Sequence, residues 1–423
     1  MSRILIATYT MYGAWFSLQL EEEGHTVDIW LMDHYDDYGM VLSGLVKTPL
    51  RARPNFSSYD LIMFDLTGRP KIAEEALKQT PTIGDGNLQS ELEDDRMFGI
   101  EIMEQCDIGV PFYETFDDIG TARRFIKKTN KTYVFKPNGG QQQDTATTYV
   151  SKSPEDLLKY LDKLSGTAKG VEFILQEVVH GTEVSVEAWF NGEDFFLING
   201  TLEEKKFMNE GRGPNTGCAG NLVWIFDQTN RPLIFREGLE KLKDFLQGAG
   251  FRGMIDLNTI VTDSKLFGLE WTPRFGYDAS ATLYSCIGNV GELFGSIASG
   301  GVPSVDIIST HACGVRLSIP PYPSEIKNKH PEDVPVEGIE EDDIVKDCFL
   351  YDCMVGDGDS LVTAGVNGLV CVPIVHGNDI AGIFGRLSEK IKKISIPDVQ
   401  YRTDIEYCTT KRFNTLNNQG WFR

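Results

Sequence analysis

The sequence predicts an α/β protein of several domains, and three observations carry that prediction. The chain opens on a short continuous apolar run, a turn, a helix and a second apolar run, the pattern of a buried parallel sheet. A stretch of different texture follows, in which helix and strand patterns alternate over roughly 75 residues. Further on, "GMIDLNTIVTDSKLFGLEW" alternates polar and apolar residues on both sides of "TDSK", as an antiparallel hairpin does. At 423 residues the chain exceeds what one hydrophobic core serves, so roughly two to four domains are expected.

Taken in order, residues 4–7 form the first strand, the chain turns through Gly13, and residues 14–22 form a helix. "TVDIWLM" and "YDLIMFDL" supply the next two strands, so residues 1 to about 90 read as a small α/β unit. One helix runs through "ELEDDRMFGIEIMEQC" to a loop at Gly109 and Pro111. The second unit holds the helix "ARRFIKK", the strand "TYVFKP", a Gly/Gln/Thr loop, the helix "SPEDLLKYLDKL" with its Ser-Pro start, and the strand "VEFILQEVV". "EVSVEAWF" and "DFFLING" then read as strands, residues 232–248 as a helix, and the tail from Val315 as short strands and turns.

Lys and Arg number 40 against 62 Asp and Glu, a net charge of -22 that opposes binding to nucleic acid or anionic membranes. An anionic ligand must then be held by a few local cations and backbone N–H groups. The eight cysteines are scattered, with no zinc-module spacing, and read as reduced thiols. The first apolar run is too short for a signal segment, and no stretch approaches the length of a membrane span. The expectation is a soluble cytoplasmic protein, monomer or homodimer, acting on small molecules.

Several residues carry chemistry. Lys136 ends an apolar strand before two glycines, as a phosphate-binding lysine under a flexible loop does, or as a solvated charge at a strand end does. Arg96 has the same two readings. In "LQEVVHGTEVSV", the strand through Gln176, Glu177 and Val179 offers backbone groups to an adenine edge, and Glu183 is a carboxylate for ribose hydroxyls; a turn with a surface glutamate is the plainer reading. The hairpin sets Asp256, Asn258, Glu270 and Thr272 where oxygen ligands on adjacent strands face one another, or where polar side chains face solvent. "GRGPNTGCAG" packs four glycines and a proline into ten positions, which suits a turn or an anion cradle.

Together and in this order, these blocks resemble the ATP-grasp ligases, and among them the glycinamide ribonucleotide synthetase family, which joins glycine to phosphoribosylamine in purine biosynthesis. "ELEDDRMF" looks like the family's "Q-L-E-G-S-K-A-F", with Arg96 in place of lysine, and "VFKPNG" is similar to "V-I-K-A-D-G", which carries over Lys136. "QEVVHGTEVS" is similar to "E-E-F-L-x-G-x-E-x-S", carrying over the adenine-facing strand and Glu183. "GPNTGCAG" reproduces six of the eight positions of "G-P-N-T-G-G-M-G", the wall of the family's substrate pocket, which assigns Pro214, Asn215, Thr216 and Gly217 to the substrate. Upstream, Glu203 and Lys205 stand where "Q-D-H-K-R" has its Asp and Lys, and "EWTPRFGYDA" matches "E-F-N-x-R-F-G-D-P-E", carrying over Glu270 and Arg274. "VRLSIPPYP", "VPVEGIEE" and "YRTDIE" look like the family's C-terminal domain.

The resemblance implies an ATP-grasp fold with an N-terminal Rossmann-like domain and linking helix (1–110), a lid domain (111–189), a central domain (190–312) and a β-rich C-terminal domain (313–423). It also implies that Arg96 and Lys136 hold ATP phosphates. Glu270 with Asp256 or Asn258, and Thr272, would hold magnesium, or manganese in its place, and Arg274 would stabilise the transferring phosphoryl group. The departures gather on the amine side. The family's "G-G-R-E-H" turn is "ATYTMYGAW" here, without Arg or His; the lid loop is "GGQQQDTATT"; the metal-ligand Asn is Thr272; and Tyr277 stands where the family has Asp. The implied function is therefore a ligase of the phosphoribosylamine-glycine type. Its alternatives are a ligase that joins an amino acid to a different amine, and a non-catalytic ATP-binding protein on the same fold.

Overall fold

The computed structural model describes residues 1–32, 36–138, 148–165, 172–276, 278–324 and 330–423, so the lid stretch 139–147 and Tyr277 lie outside the described residues. The first apolar run forms β1 (Arg3–Thr8), parallel to β2 (Thr26–Leu31) and β3 (Leu61–Phe64), and β4 (Thr82–Ile83) closes a sheet of order β2-β1-β3-β4. β1 is buried over all but its first residue and β3 throughout, which is why both read as unbroken apolar runs. Helices α1 (Phe16–Glu22) and α2 (Pro70–Leu77) connect these strands.

The single helix expected over 91–106 is two, α3 (Asn87–Asp94) and α4 (Arg96–Gln105). Asp95 separates them in an extended conformation (φ -99°, ψ 97°), and its carboxylate caps α4 by accepting from the N–H groups of Met97 and Phe98. The break sets Arg96 at the first position of α4, where its Nε donates to the Pro137 carbonyl at 2.8 Å.

The small unit is an antiparallel sheet, in order β5 (Tyr113–Phe116), β8 (Phe173–Glu177), β6 (Tyr133–Pro137), β7 (Tyr149–Val150), packed with α5 (Ile119–Thr129) and α6 (Pro154–Leu164). Ser153 caps α6 by accepting from the Asp156 N–H at 3.2 Å, as the Ser-Pro start predicts.

The main sheet has nine strands. Along it run β13 (Leu266–Trp271), β12 (Gly253–Val261), β9 (Thr182–Phe190), β10 (Phe195–Met208), β11 (Arg212–Ile225), β14 (His311–Val315), β20 (Leu369–Gly377) and β15 (Leu317–Ser318), with β17 (Cys348–Leu350) also paired to β20. β16 (Glu332–Pro335), β19 (Leu361–Ala364) and β18 (Cys353–Val355) form a separate three-stranded sheet. Two expected boundaries therefore move. β9 falls in the 111–189 segment yet pairs with β10 and β12, so the main sheet begins at Thr182. At the other end, β14, β20 and β15 carry the same sheet past residue 313.

The helix expected over 232–248 is interrupted: α7 (Leu233–Arg236), a 3-10 turn and α8 (Lys243–Gly248), with Gly238 in a non-helical conformation between them (φ -115°, ψ -104°). The glycine-rich decapeptide is not a turn; from Arg212 onward it is strand. Its pairing with β10 slips between Glu204 and Lys206 and again between Lys206 and Met208. Gly213 (φ 80°) and Gly217 (φ 77°) take the left-handed backbone that such irregular pairing uses.

Candidate active site

Strand alternation builds the site. On β9, Val184, Val186, Ala188 and Phe190 point into the core, so Glu183, Ser185 and Glu187 occupy the opposite face. The register extends that face sideways. Ser185 pairs with Thr201 on β10 and with Asn258 on β12, and Asn258 pairs with Glu270 on β13. One step along, Glu187 pairs with Asp256, whose carbonyl accepts from the Thr272 N–H at 2.9 Å. Thr201, Glu203 and Lys205 continue the face on β10.

Two adjoining cavities open over it. The larger, of about 380 Å³, is lined by Arg96, Pro137, Glu270, Thr272, Arg274 and Glu93 among others. The smaller, of about 270 Å³, is lined by Glu187, Glu203, Lys205, Asn215, Asp256 and Asn258, with Gly217 at its edge. Glu270, Thr272 and Arg274 border both. Arg96, the four expected metal residues, and Glu203, Lys205, Asn215 and Gly217 thus line adjoining cavities with Glu270 at the junction, while Lys136, Pro214 and Thr216 line neither.

The electrostatics centre on Glu270. Burial pushes its carboxyl up, but Lys205, Lys136, Arg96 and Arg274 outweigh that and hold it below the usual carboxylate range. Lys136 is 7% exposed at the end of β6 and makes no hydrogen bond or ion pair among the described residues. Burial lowers its ammonium to about 8, against the opposing pull of Glu270. Burial likewise lowers Arg96, again opposed by Glu270. Burial would also lower Lys205, but Glu183, Glu203 and Glu270 together raise it.

Other expected residues are engaged elsewhere. Gln176 is buried on β8 with its amide nitrogen unpartnered. Glu177 donates its backbone N–H to the Phe112 carbonyl at 2.8 Å, and its carboxylate accepts from Lys131 Nζ at 3.2 Å. Val179 is half-buried between β8 and β9, and neither cavity is lined by Gln176, Glu177 or Val179. Glu183 accepts from Lys205 Nζ at 2.6 Å, and Lys205 also reaches Asn258 Oδ1 at 3.5 Å. Pro214 is exposed, and the Thr216 hydroxyl donates to the Lys205 carbonyl at 3.2 Å. The Asn258 amide nitrogen donates to Thr272 Oγ1 at 3.2 Å and lies 3.4 Å from Asp256 Oδ2.

Sequence reasoning missed two residues. Glu93 on α3 accepts from Arg274 Nε at 2.9 Å and pairs with its Nη2 at 2.8 Å, so it aims the guanidinium. Its signal was the acidic run just before Arg96. Glu187 sits at an interior site-facing position of a strand read only as a strand.

The altered first turn faces two ways. The Tyr9 hydroxyl donates to the Thr67 carbonyl at 2.9 Å, with the Arg69 guanidinium 5.3 Å from its ring centre. Tyr12 is buried: its hydroxyl donates to Asp278 at 3.2 Å, and its ring packs 5.2 Å from both Phe349 and Tyr351. Asp278 also holds Arg316 through two bonds of 2.8 Å. Beneath the turn, Asp65 accepts from the Thr8 hydroxyl at 2.7 Å and the Gly13 N–H at 2.8 Å, and burial raises its carboxyl to about 6.

Residues 94–279 match the model of the phosphoribosylglycinamide synthetase ATP-grasp (A) domain family. Phosphoribosylamine-glycine ligase of Leptospira interrogans is 22% identical over 345 residues, covering 77% of this chain and 78% of the relative. The crystal structure of phosphoribosylamine-glycine ligase from Thermotoga maritima superposes with a TM-score of 0.73 at 20% identity, covering 95% of this chain and 99% of that one. The chain has the ATP-grasp fold and resembles phosphoribosylamine-glycine ligase. Its ATP-grasp domain shares the wider fold with a Campylobacter jejuni biotin carboxylase in complex with β-γ-ATP (TM-score 0.66, 12% identity, 99% of this chain and 97% of that one). Every candidate nucleotide, substrate and metal residue named above lies within the matched span.

Proposed function

We propose that this ATP-grasp protein is an ATP-dependent carboxylate–amine ligase of the phosphoribosylamine-glycine ligase type, the reaction used in purine biosynthesis. The observation that carries the reading is the set of four cations, Lys205, Lys136, Arg96 and Arg274, gathered on the single carboxylate of Glu270. Lys205 is paired with Glu183 and Arg274 with Glu93, which leaves Lys136 and Arg96 as cations with no carboxylate bonded to them among the described residues. Such a site suits a polyphosphate, whose charge the -22 of the whole chain would otherwise repel.

In this reading Arg96 and Lys136 hold the phosphates, while the β8 strand and Glu183 face the nucleoside. Magnesium asks for oxygens and keeps waters, so one carboxylate and one amide beside phosphates satisfy it. Glu270 and Asn258, directly opposite each other, fit that need, and Asp256 Oδ2 accepts from the Asn258 amide at 3.4 Å beside them. The metal would neutralise phosphate charge during transfer. Arg274, aimed by Glu93, stabilises the phosphoryl group as it passes to the substrate carboxylate. Attack by an amine on the acyl phosphate then releases phosphate and leaves an amide. Positioning and charge neutralisation are the chain's contribution.

A second reading, a ligase for a different amine, is favoured by the first turn. The turn has no Arg or His of its own and Tyr12 is turned into the core, whereas the Arg69 guanidinium, 5.3 Å from the Tyr9 ring centre, is a cation that supports the first reading. The test is phosphate release from ATP and magnesium with a panel of amino acids and amines. Release that requires glycine and phosphoribosylamine establishes the first reading. Release with glycine and another amine selects the second, and ATP binding without release leaves a non-catalytic ATP-binding protein.

A further inference from the structure

We propose that the smaller cavity binds a positively charged organic group of a substrate, an ammonium or guanidinium, on Glu187, Asp256 and Glu203. The inference rests on the carboxylate–amine ligase chemistry proposed above and replaces glycine, as the amino acid activated, by a larger one that carries a cation. Glu187 is 8% exposed and lines the cavity, yet neither of its carboxylate oxygens has a partner among the described residues. Asp256 stands directly opposite it across β9 and β12, with Oδ1 buried and unpartnered. Glu203 borders the same space from β10. Like charges directly opposite in a sheet repel, and burial without a partner adds a larger penalty. A bound cation removes both.

Lys205 acts on Asp256 and Glu203 across the cavity, but among the described residues no cation acts on Glu187. Lys205 is taken by Glu183 at 2.6 Å, and Arg274 by Glu93 at 2.8 Å. Asn199, the partner of Glu187 on β10, is fully buried with both amide atoms unpartnered, so the floor behind Glu187 is polar too. Among the described residues no three acid, imidazole or thiol ligands are placed to hold a metal ion, which favours an organic cation whose several N–H groups reach separate carboxylates.

Position refines the class. Asp256 lies two residues along β12 from Asn258, about 6.5 Å in a strand, and Asn258 faces Glu270 where the carboxylate is activated. The α-ammonium of an amino acid sits too close to its own carboxylate to span that gap; the side-chain cation of ornithine or lysine spans it. The substrate is therefore an amino acid with a cationic side chain.

Phosphate release is measured with hydroxylamine present to displace phosphate from any acyl phosphate, using matched pairs, L-ornithine against L-norvaline and L-lysine against L-norleucine, for the parent protein and Glu187→Gln. The cationic member should drive release at least about tenfold faster, as loss of a charge-assisted bond predicts. Glu187→Gln should erase the preference while melting no lower than the parent. A second arm supplies glycine with putrescine or butylamine: a putrescine preference lost in Glu187→Gln keeps the site and assigns the cation to the amine substrate. Equal rates in all pairs, or a preference that survives Glu187→Gln, overturn the proposal. If no amino acid drives release, the ligase reading fails, and lysine alone then judges the site. A rise in melting temperature seen only in the parent supports it, and no rise overturns it.

Discussion

Glu270 and Glu187 lie on one face of one sheet, with β12 between their strands and two residues of register separating them, and their surroundings are opposite. Both are buried. Glu270 is ringed by Lys205, Lys136, Arg96 and Arg274 and stays ionised. Glu187 meets Glu203 and no cation, and burial with that repulsion raises it to about 8. The residue type is the same; the supply of cations decides. The end at Glu270 is built to receive negative charge, and the end at Glu187 to receive positive charge.

The comparison breaks most visibly at Lys136. Lys136→Ala should lower turnover by roughly 10²- to 10³-fold, as removal of one preorganised donor does. Its melting temperature should not fall, because the deleted charge is buried with no bonded partner among the described residues. An unchanged rate in a folded variant would remove Lys136 from the phosphate site. Next in size, Glu183→Ala should weaken ATP binding by roughly 10- to 100-fold in a calorimetric titration, through loss of charge-assisted bonds to the ribose. Equal affinities would leave Glu183 only as the partner of Lys205.

Glu270→Gln sharpens the comparison from the metal side, since it leaves an amide where the four cations converge. The magnesium concentration at half-maximal rate should rise about tenfold, and no shift would make the hairpin merely structural. The smallest effect is in pH. Lys136 titrates near 8 in the folded chain against 10.5 for an ordinary lysine. Between those values the unfolded chain binds the extra proton, so stability contributed by this group rises with pH. ATP binding needs the ammonium and runs the other way, weakening above pH 8 by up to roughly tenfold per unit. Lys136→Arg, which stays charged, should flatten that dependence.

Much of the site was legible because strands alternate with period two. The hairpin from Gly253 to Trp271 could be read directly, and its register makes Asn258 and Glu270 neighbours as the polar positions implied. Lys136 was legible from its place at a strand end. What was hidden is what crosses between distant segments: the Glu183–Lys205 pair, 22 residues apart, and the Arg274–Glu93 pair, 181 residues apart. Helix breaks at Asp95 and Gly238 were missed because a capping aspartate and a single glycine barely disturb the apolar period. Glycines in "GRGPNTGCAG" suggested a turn, whereas here they absorb irregular pairing within a strand. Glu187 was visible all along as a charge at an interior position of "EVSVEAWF", but its meaning depends on Asp256 opposite it.

The central claim, that phosphate passes from ATP to a substrate carboxylate, can be read from the oxygen atoms. The amino acid that drives turnover is supplied with its carboxylate labelled by oxygen-18, and the phosphate released is weighed by mass spectrometry. The account predicts one labelled oxygen in each phosphate, because the acyl phosphate leaves with a carboxylate oxygen when the amine displaces it. Phosphate carrying no label would mean that water, not the carboxylate, accepts the phosphoryl group, and would contradict the ligase reading.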